Sequence, residues 1–242
     1  IVLSETYQQS SKITPELRTK DPENRILARG TRFRMDSEMV RDQILMVSGL
    51  LNHEMLGKSV KPPQPAKLWE IVAMPSSYPR KYKADEGKKA FRRSVYTFWK
   101  RGLPPPQMTI FDAPTREACI ARRERTNTPL QALMLMNEPQ FFNAAIHCAQ
   151  RLLEDSKSSD EQRIQDAYET ITSQLPTVTE TLTLQEALKA FREHYSNDNE
   201  AARAMTSGYL AGDATETDSV ELASWTMLTH TLLNLDIVKT RQ

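Results

Sequence analysis

Proline placement constrains this chain more than any other feature. Nine of its 14 prolines fall between Pro62 and Pro114, among them Pro62-Pro63, Pro65 and the run Pro104-Pro105-Pro106. Each proline removes a backbone donor and clashes with the preceding helical turn, so this stretch cannot be a continuous helix. Glycine numbers only 7 in 242 residues, under half the usual share of about 7%. That scarcity disfavours a Gly-rich phosphate loop and favours helix elsewhere. The chain divides accordingly into a helical part over residues 1–57, an irregular segment over 58–126 and a second helical part over 127–242. The expected fold is mainly α: one domain, an irregular helical bundle wrapped by a Pro-rich, basic, largely non-helical central segment, with room for one short β pairing.

Charge follows the same division. The formal net charge is only +1. Residues 80–125 nevertheless carry 13 basic and 5 acidic side chains, whereas residues 154–242 carry 7 basic and 16 acidic. A basic middle and an acidic end are complementary, and their docking on each other is the simplest expectation. No run approaches 18 apolar residues, so no membrane span is expected. The opening Ile1-Val2-Leu3-Ser4 has no initiator Met and no secretory leader pattern, and reads as the start of a piece cut from a longer protein.

Helix signals are dense. Asp21-Pro22 offers an N-cap with proline at the first helical position. From Asp36, the residues Val40, Ile44, Val47 and Leu51 follow the spacing of one buried face. Thr128-Pro129-Leu130-Gln131 has the form of a capping box, and Asn137-Glu138-Pro139-Gln140 repeats it ahead of Phe142, Ile146, Ala149 and Leu153. Ser159, Thr183 and Asn197 are read as further caps, followed by the stripes Ile164, Tyr168, Ile171, Leu175 and Leu184, Leu188, Phe191, Tyr195. The last helix, from about Asp218 to Asp236, is apolar on more than one side and is expected at the centre of the core. Only Val95-Tyr96-Thr97-Phe98-Trp99 has the β-branched and aromatic density of a strand.

The densest polar cluster runs from Phe111 to Pro129. Arg116, Arg122, Arg123 and Arg125, with Asn127 and Thr128 at a helix start, can form an anion-binding site, because guanidinium forks and free helical N–H groups both suit phosphate, sulfate or carboxylate. The competing reading pairs these arginines with Asp112, Glu117 and the acidic C-terminal half. Cys119, between arginines, is a candidate nucleophile or redox thiol, with Asp112 as a neighbouring carboxylate and His147 as the histidine best able to serve as base. Cys119 and Cys148 are expected to be free and mostly buried, and no zinc set exists, since His53, His194 and His230 lack metal-ligand spacing. The aromatics Tyr78, Tyr82, Phe91, Tyr96, Phe98 and Trp99 among basic residues read as a buried row with a solvated basic face, more readily than as a nucleic-acid surface.

Three stretches resemble one family: Phe91-Arg92-Arg93-Ser94-Val95-Tyr96-Thr97-Phe98-Trp99-Lys100-Arg101, Pro104-Pro105-Pro106-Gln107-Met108-Thr109-Ile110-Phe111-Asp112-Ala113-Pro114 and Arg122-Arg123-Glu124-Arg125-Thr126-Asn127-Thr128-Pro129-Leu130-Gln131-Ala132-Leu133. It is the planctomycete-type C-terminal domain of unknown function, found in large proteins downstream of a c-type cytochrome domain and a second uncharacterised domain. Ser4 to Ser11 and Trp225 to Asp236 resemble its opening and closing segments. Thr172-Ser173-Gln174-Leu175-Pro176 departs from the family's usual Thr-Gly-Arg-x-Pro. The resemblance implies an exported, extracytoplasmic protein, often grouped with sulfatase-like proteins and polysaccharide breakdown. It also implies a haem c bound only upstream, and no cofactor in this segment. It supplies no catalytic residues. The function expected is a non-catalytic interaction or scaffold module whose partners are other domains of its parent protein or an anionic, sulfated polysaccharide. The alternative is an enzyme or redox domain using Cys119 with neighbouring Arg and Asp residues on sulfated carbohydrate.

Overall fold

The computed structural model describes residues 1–65, 67–72, 76, 79–154, 158–207 and 218–241. Two short helices open the chain, α1 (Glu5–Gln8) and α2 (Pro15–Lys20), followed by β1 (Phe33–Arg34) and α3 (Ser37–Val47). Among its described residues the Pro-rich segment holds α4 (Leu68–Val72), two 3-10 turns and α5 (Pro106–Thr109). The rest is helical: α6 (Pro129–Asn137), α7 (Pro139–Glu154), α8 (Asp160–Thr172), α9 (Val178–Asn197), α10 (Asn199–Ser207), α11 (Ser219–Leu233) and α12 (Asp236–Lys239), ending in β2 (Thr240–Arg241). The architecture is mainly α. Its two-stranded sheet joins the chain's two end regions, with Phe33 opposite Arg241 and Arg34 opposite Thr240 in antiparallel register.

Helix α11 lies where its sequence says it must. Leu222, Trp225, Leu228, Leu232 and Leu233 are all buried, packed against α7, α8 and α9 on one side and α10 on another. A helix apolar on several faces has no side to give to water, so it takes the centre. Around it, Val40 and Ile44 of α3, Ala144 and Ala145 of α7 and Ile171 of α8 form the larger core cluster with Phe111 and Leu135.

Several helix starts differ from the sequence reading. Asp21 does not open a helix. It ends α2, and its carboxylate accepts from the backbone N–H groups of Arg25 and Ile26 to shape a turn. The proline at a helix start is instead Pro15, behind the Thr14 cap. Helix α9 begins at Val178, five residues before the expected Thr183–Glu186 box, because Thr177 and Glu180 form a complete capping box first. Helix α10 is capped by Asp198, which accepts from Ala201 N–H, and not by Asn197. Ser159 caps α8 as expected. That helix closes on Ser173 in a left-handed conformation at φ 59°, the position where the family pattern has glycine. Val95 to Trp99 is not a strand. Ser94–Tyr96 form a 3-10 turn, and Thr97 makes a single parallel bridge to Val60.

The central segment is held by side chains. Arg41 of α3, 2% exposed, donates from Nε to Gln140 Oε1 (2.7 Å), from Nη1 to the Arg92 carbonyl (2.9 Å) and from Nη2 to the Ala90 carbonyl (2.8 Å). Burial pulls its pKa down to about 10, against the pull of Asp42 and Glu138, so it remains cationic at neutral pH. Arg92, also buried, donates to the carbonyls of Glu54, Leu56 and Lys58 and lies over the Tyr96 ring at 3.9 Å. Trp69 anchors a further knot, its ring 5.1 Å from Tyr82 and 6.1 Å from Phe98, with the Lys100 ammonium 5.0 Å above it. Basic side chains of this segment thus lie over aromatic rings. Tyr78 lies outside the described residues.

Candidate functional site

The loop that the sequence singles out is closed at its base by one carboxylate. Asp112, at φ 60°, accepts from Thr126 N–H (2.7 Å) and from its hydroxyl (2.9 Å). Aspartate tolerates that left-handed backbone. Gln131, buried in α6, braces the clasp by donating to the Ile110 carbonyl (3.0 Å) and to Thr126 Oγ1 (3.1 Å). Gln131 therefore does not close a capping box, and the Thr128 side chain makes no cap hydrogen bond. Beyond the clasp, Arg116 stacks its guanidinium 4.2 Å from the Trp99 ring, and Trp99 Nε1 donates to the Thr115 carbonyl (3.2 Å). Cys119 is exposed and free, against the expectation of a buried thiol, because residues 115–122 lie on the surface. Cys148 is free and buried. No hydrogen bond joins Cys119 to His147 among the described residues, and His147 lies half-buried on α7, where burial lowers its pKa.

The four loop arginines separate into two pairs. Arg123 and Arg125 turn inward to the start of α3. Arg123 donates to both Glu38 carboxylate oxygens (2.7 and 3.1 Å), and Arg125 lies 4.8 Å from the Phe33 ring with Asp36 at 3.7 Å. Burial works most strongly on Glu38 and opposes its ionisation, but the Arg123 hydrogen bonds and charge, its own backbone N–H and the Ser37 hydroxyl together outweigh it and hold the carboxyl below its ordinary range. Arg116 and Arg122 point outward, and Arg122 has no ion pair among the described residues. The inward pair therefore meets N-terminal carboxylates, while carboxylates of the acidic C-terminal half meet other cations: Arg192 binds Asp160 and Glu221 together, and Arg32 and Arg34 bind Asp236. Asn127 and Thr128 are exposed beside Arg122–Thr126, which lines an open depression of about 510 Å³. No group of three metal-ligating side chains exists among the described residues.

A second feature was missed by motif reading. A cavity of about 560 Å³ opens between the Pro63–Pro65 stretch, α5, α6 and the start of α7. That volume falls in the range of small-ligand and peptide-anchor sites. Pro63, Pro65, Pro106 and Pro139 form much of its wall, and Leu130, Leu133 and Met134 of α6 form the opposite side. The signal was present in sequence: α6 reads Pro-Leu-Gln-Ala-Leu-Met-Leu-Met-Asn, without a single charge. Leu130, Leu133 and Met136 are each 54% exposed along its outer face.

Few polar groups reach the cavity. Gln64 accepts from Trp69 Nε1 (2.8 Å). Glu138 accepts from the N–H groups of Gln140 (2.7 Å) and Phe141 (3.0 Å), so it, rather than Asn137, caps α7. Burial raises the Glu138 carboxyl above its ordinary range, with those two donors pulling the other way. Gln107 of α5 is 6% exposed, and its side-chain amide has no hydrogen-bond partner among the described residues.

A family model described as PSD1, a protein of unknown function (DUF1553), matches residues 1–188. The match spans the Pro-rich segment, the loop and the cavity, and ends inside α9; the Trp225–Asp236 stretch lies beyond it. No curated protein and no solved structure matches the chain.

Proposed function

The chain belongs to the PSD1 family of proteins of unknown function (DUF1553), and from that premise we propose that it is a non-catalytic docking module of a longer, exported protein whose c-type haem resides in another domain. The observation that carries this reading is α6. An uncharged helix places Leu130, Leu133 and Met136, spaced three apart, half in water beside an apolar cavity. Apolar surface gains about 25 cal/mol for every Å² removed from water, so such a face is stable when covered. The partner that covers it is another domain of the parent protein. Amide hydrogen exchange of residues 128–139 tests this, measured in the isolated domain and in the parent protein. Slower exchange in the parent is expected; equal exchange in both discards docking through α6.

A second reading is favoured by the outward arginines. Arg116 and Arg122, with Asn127 and Thr128, offer an anion surface to sulfated polysaccharide. Arg123 and Arg125 are committed to Glu38 and Asp36 and serve the fold. Binding of sulfated oligosaccharides that survives moderate salt, and is lost in a folded Arg116→Ala, Arg122→Ala variant, supports it; binding that vanishes with salt for every polyanion reflects charge alone. The enzyme alternative, with Cys119 and Asp112 acting on such a substrate, requires turnover that Cys119→Ala abolishes.

A further inference from the structure

The amide of Gln107 indicates what the cavity binds. A primary amide offers a donor and an acceptor side by side, and one without a protein partner has both to give to whatever fills the cavity. Gln107 is almost wholly buried, lines the cavity and makes no side-chain hydrogen bond among the described residues. The four proline residues around it contribute no backbone N–H to the wall. An occupant that displaces water from the Gln107 amide must replace it with a carbonyl, an N–H, or both, while presenting apolar surface to Leu130, Leu133 and Met134. It must also carry no anionic group, since among the described lining residues the one ionisable group is the Glu138 carboxyl and no cation is there to pair with an anion.

We propose that the cavity takes an extended polypeptide segment without acidic side chains, with an aliphatic side chain entering it and the adjoining peptide group hydrogen-bonded to Gln107. This names the chemistry of the docking partner and rests on the docking reading. A peptide fits better than a free small molecule because the apolar face continues past the cavity to Met136. The nine residues of α6 span roughly 13 Å at the helical rise, the length of about four extended residues.

The probes are N-acetyl-L-leucine methylamide, N-acetylglycine methylamide and toluene, titrated into the isotope-labelled chain and followed by amide chemical shifts. The leucine probe should give saturable shifts at residues 106–109 and 128–139, with the glycine probe far weaker. Gln107→Leu, which keeps the bulk, should weaken the leucine probe about fivefold, the worth of one net hydrogen bond, and leave toluene unchanged. Leu133→Glu, an exposed change that cannot unsettle the core, should abolish both. No saturable binding, or leucine-probe binding indifferent to Gln107→Leu, overturns the proposal; equal affinity for toluene and the leucine probe shows an apolar cavity that does not read a peptide. If α6 is protected in the parent protein and Gln107→Leu leaves that protection intact, docking stands and the peptide contact falls. Absence of protection removes docking itself.

Discussion

The helices α7 to α11 and the segment over residues 58–126 solve one problem in opposite ways. In the helical half each backbone N–H finds its carbonyl four residues back, and the side chains only have to bury apolar area; Trp225 at 0% exposure is the emblem of that half. In the Pro-rich segment and the turn leading into it the backbone does not pair helically with itself, and carbonyls at Glu54, Leu56, Lys58, Ala90 and Arg92 are left without helical donors. Two buried arginines supply those donors, Arg41 from a helix and Arg92 from within the segment. A region poor in regular structure can thus be as firmly specified as a helix bundle, provided side chains complete its hydrogen bonds.

That contrast can be tested first through its two thiols, one in each region. Burial pushes the Cys148 thiol up to about 12, leaving it roughly a thousandth of the thiolate of an ordinary cysteine at neutral pH. An alkylating reagent should modify the exposed Cys119 at once and Cys148 only on unfolding; mass spectrometry of the native protein showing equal labelling would mean the helical half opens freely. Next in size, Trp225→Ala and Arg41→Met should each cost about 3–5 kcal/mol in urea unfolding, one by leaving a cavity and the other by stripping buried carbonyls of their donor. They should differ in place. Trp225→Ala should speed hydrogen exchange across α7–α11, whereas Arg41→Met should speed it first over residues 87–97. If both loosen the same amides, the two regions are one cooperative unit.

A smaller effect lies at the seam between loop and helix. Glu38→Gln should cost about 1 kcal/mol at neutral pH, because the Glu38–Arg123 pair is only partly shielded from water. Since the folded carboxyl ionises below its unfolded value, its contribution is complete above that value and fades as pH falls through the folded one. The stability gap between Glu38→Gln and the native chain should therefore narrow as pH falls below the ordinary carboxylate range. Smallest of all, Ser173→Gly should raise stability by roughly 0.5–1 kcal/mol, or about 2 °C in melting temperature, by relieving a left-handed serine at the end of α8.

The helical architecture was legible because apolar periodicity survives any choice of partner: Val40, Ile44, Ile164, Ile171 and the α11 stripe all face inward as their spacing requires. Helix starts were less legible, since a residue that can cap one turn can equally serve another. Gln131 has the right offset for a capping box, yet the Asp112–Thr126 clasp offers it a buried use. The arginines were legible as a cluster but not in their division, because which of four guanidinium groups turns inward depends on where Asp36 and Glu38 lie after folding. Gln107 and Glu138 stood in stretches that spoke for something else, a family resemblance and a helix start. Their part in the cavity arises from bringing Pro63–Pro65, α5 and α6 together, a juxtaposition that spacing along the chain does not encode.

The Asp112–Thr126 clasp has one more consequence. Because the two ends of the 113–125 excursion are fastened to each other and braced by Gln131, the outer part of that excursion, around Cys119, is mechanically insulated from the bundle. A protease cutting after Arg116 or Arg122 would leave two pieces that stay assembled, and an insertion near Cys119 would lengthen the arch without disturbing its footing. Within the excursion, substitutions at the exposed residues 117–121 should therefore cost the fold least, whereas Arg123 and Arg125 keep their pairs with Glu38 and Asp36.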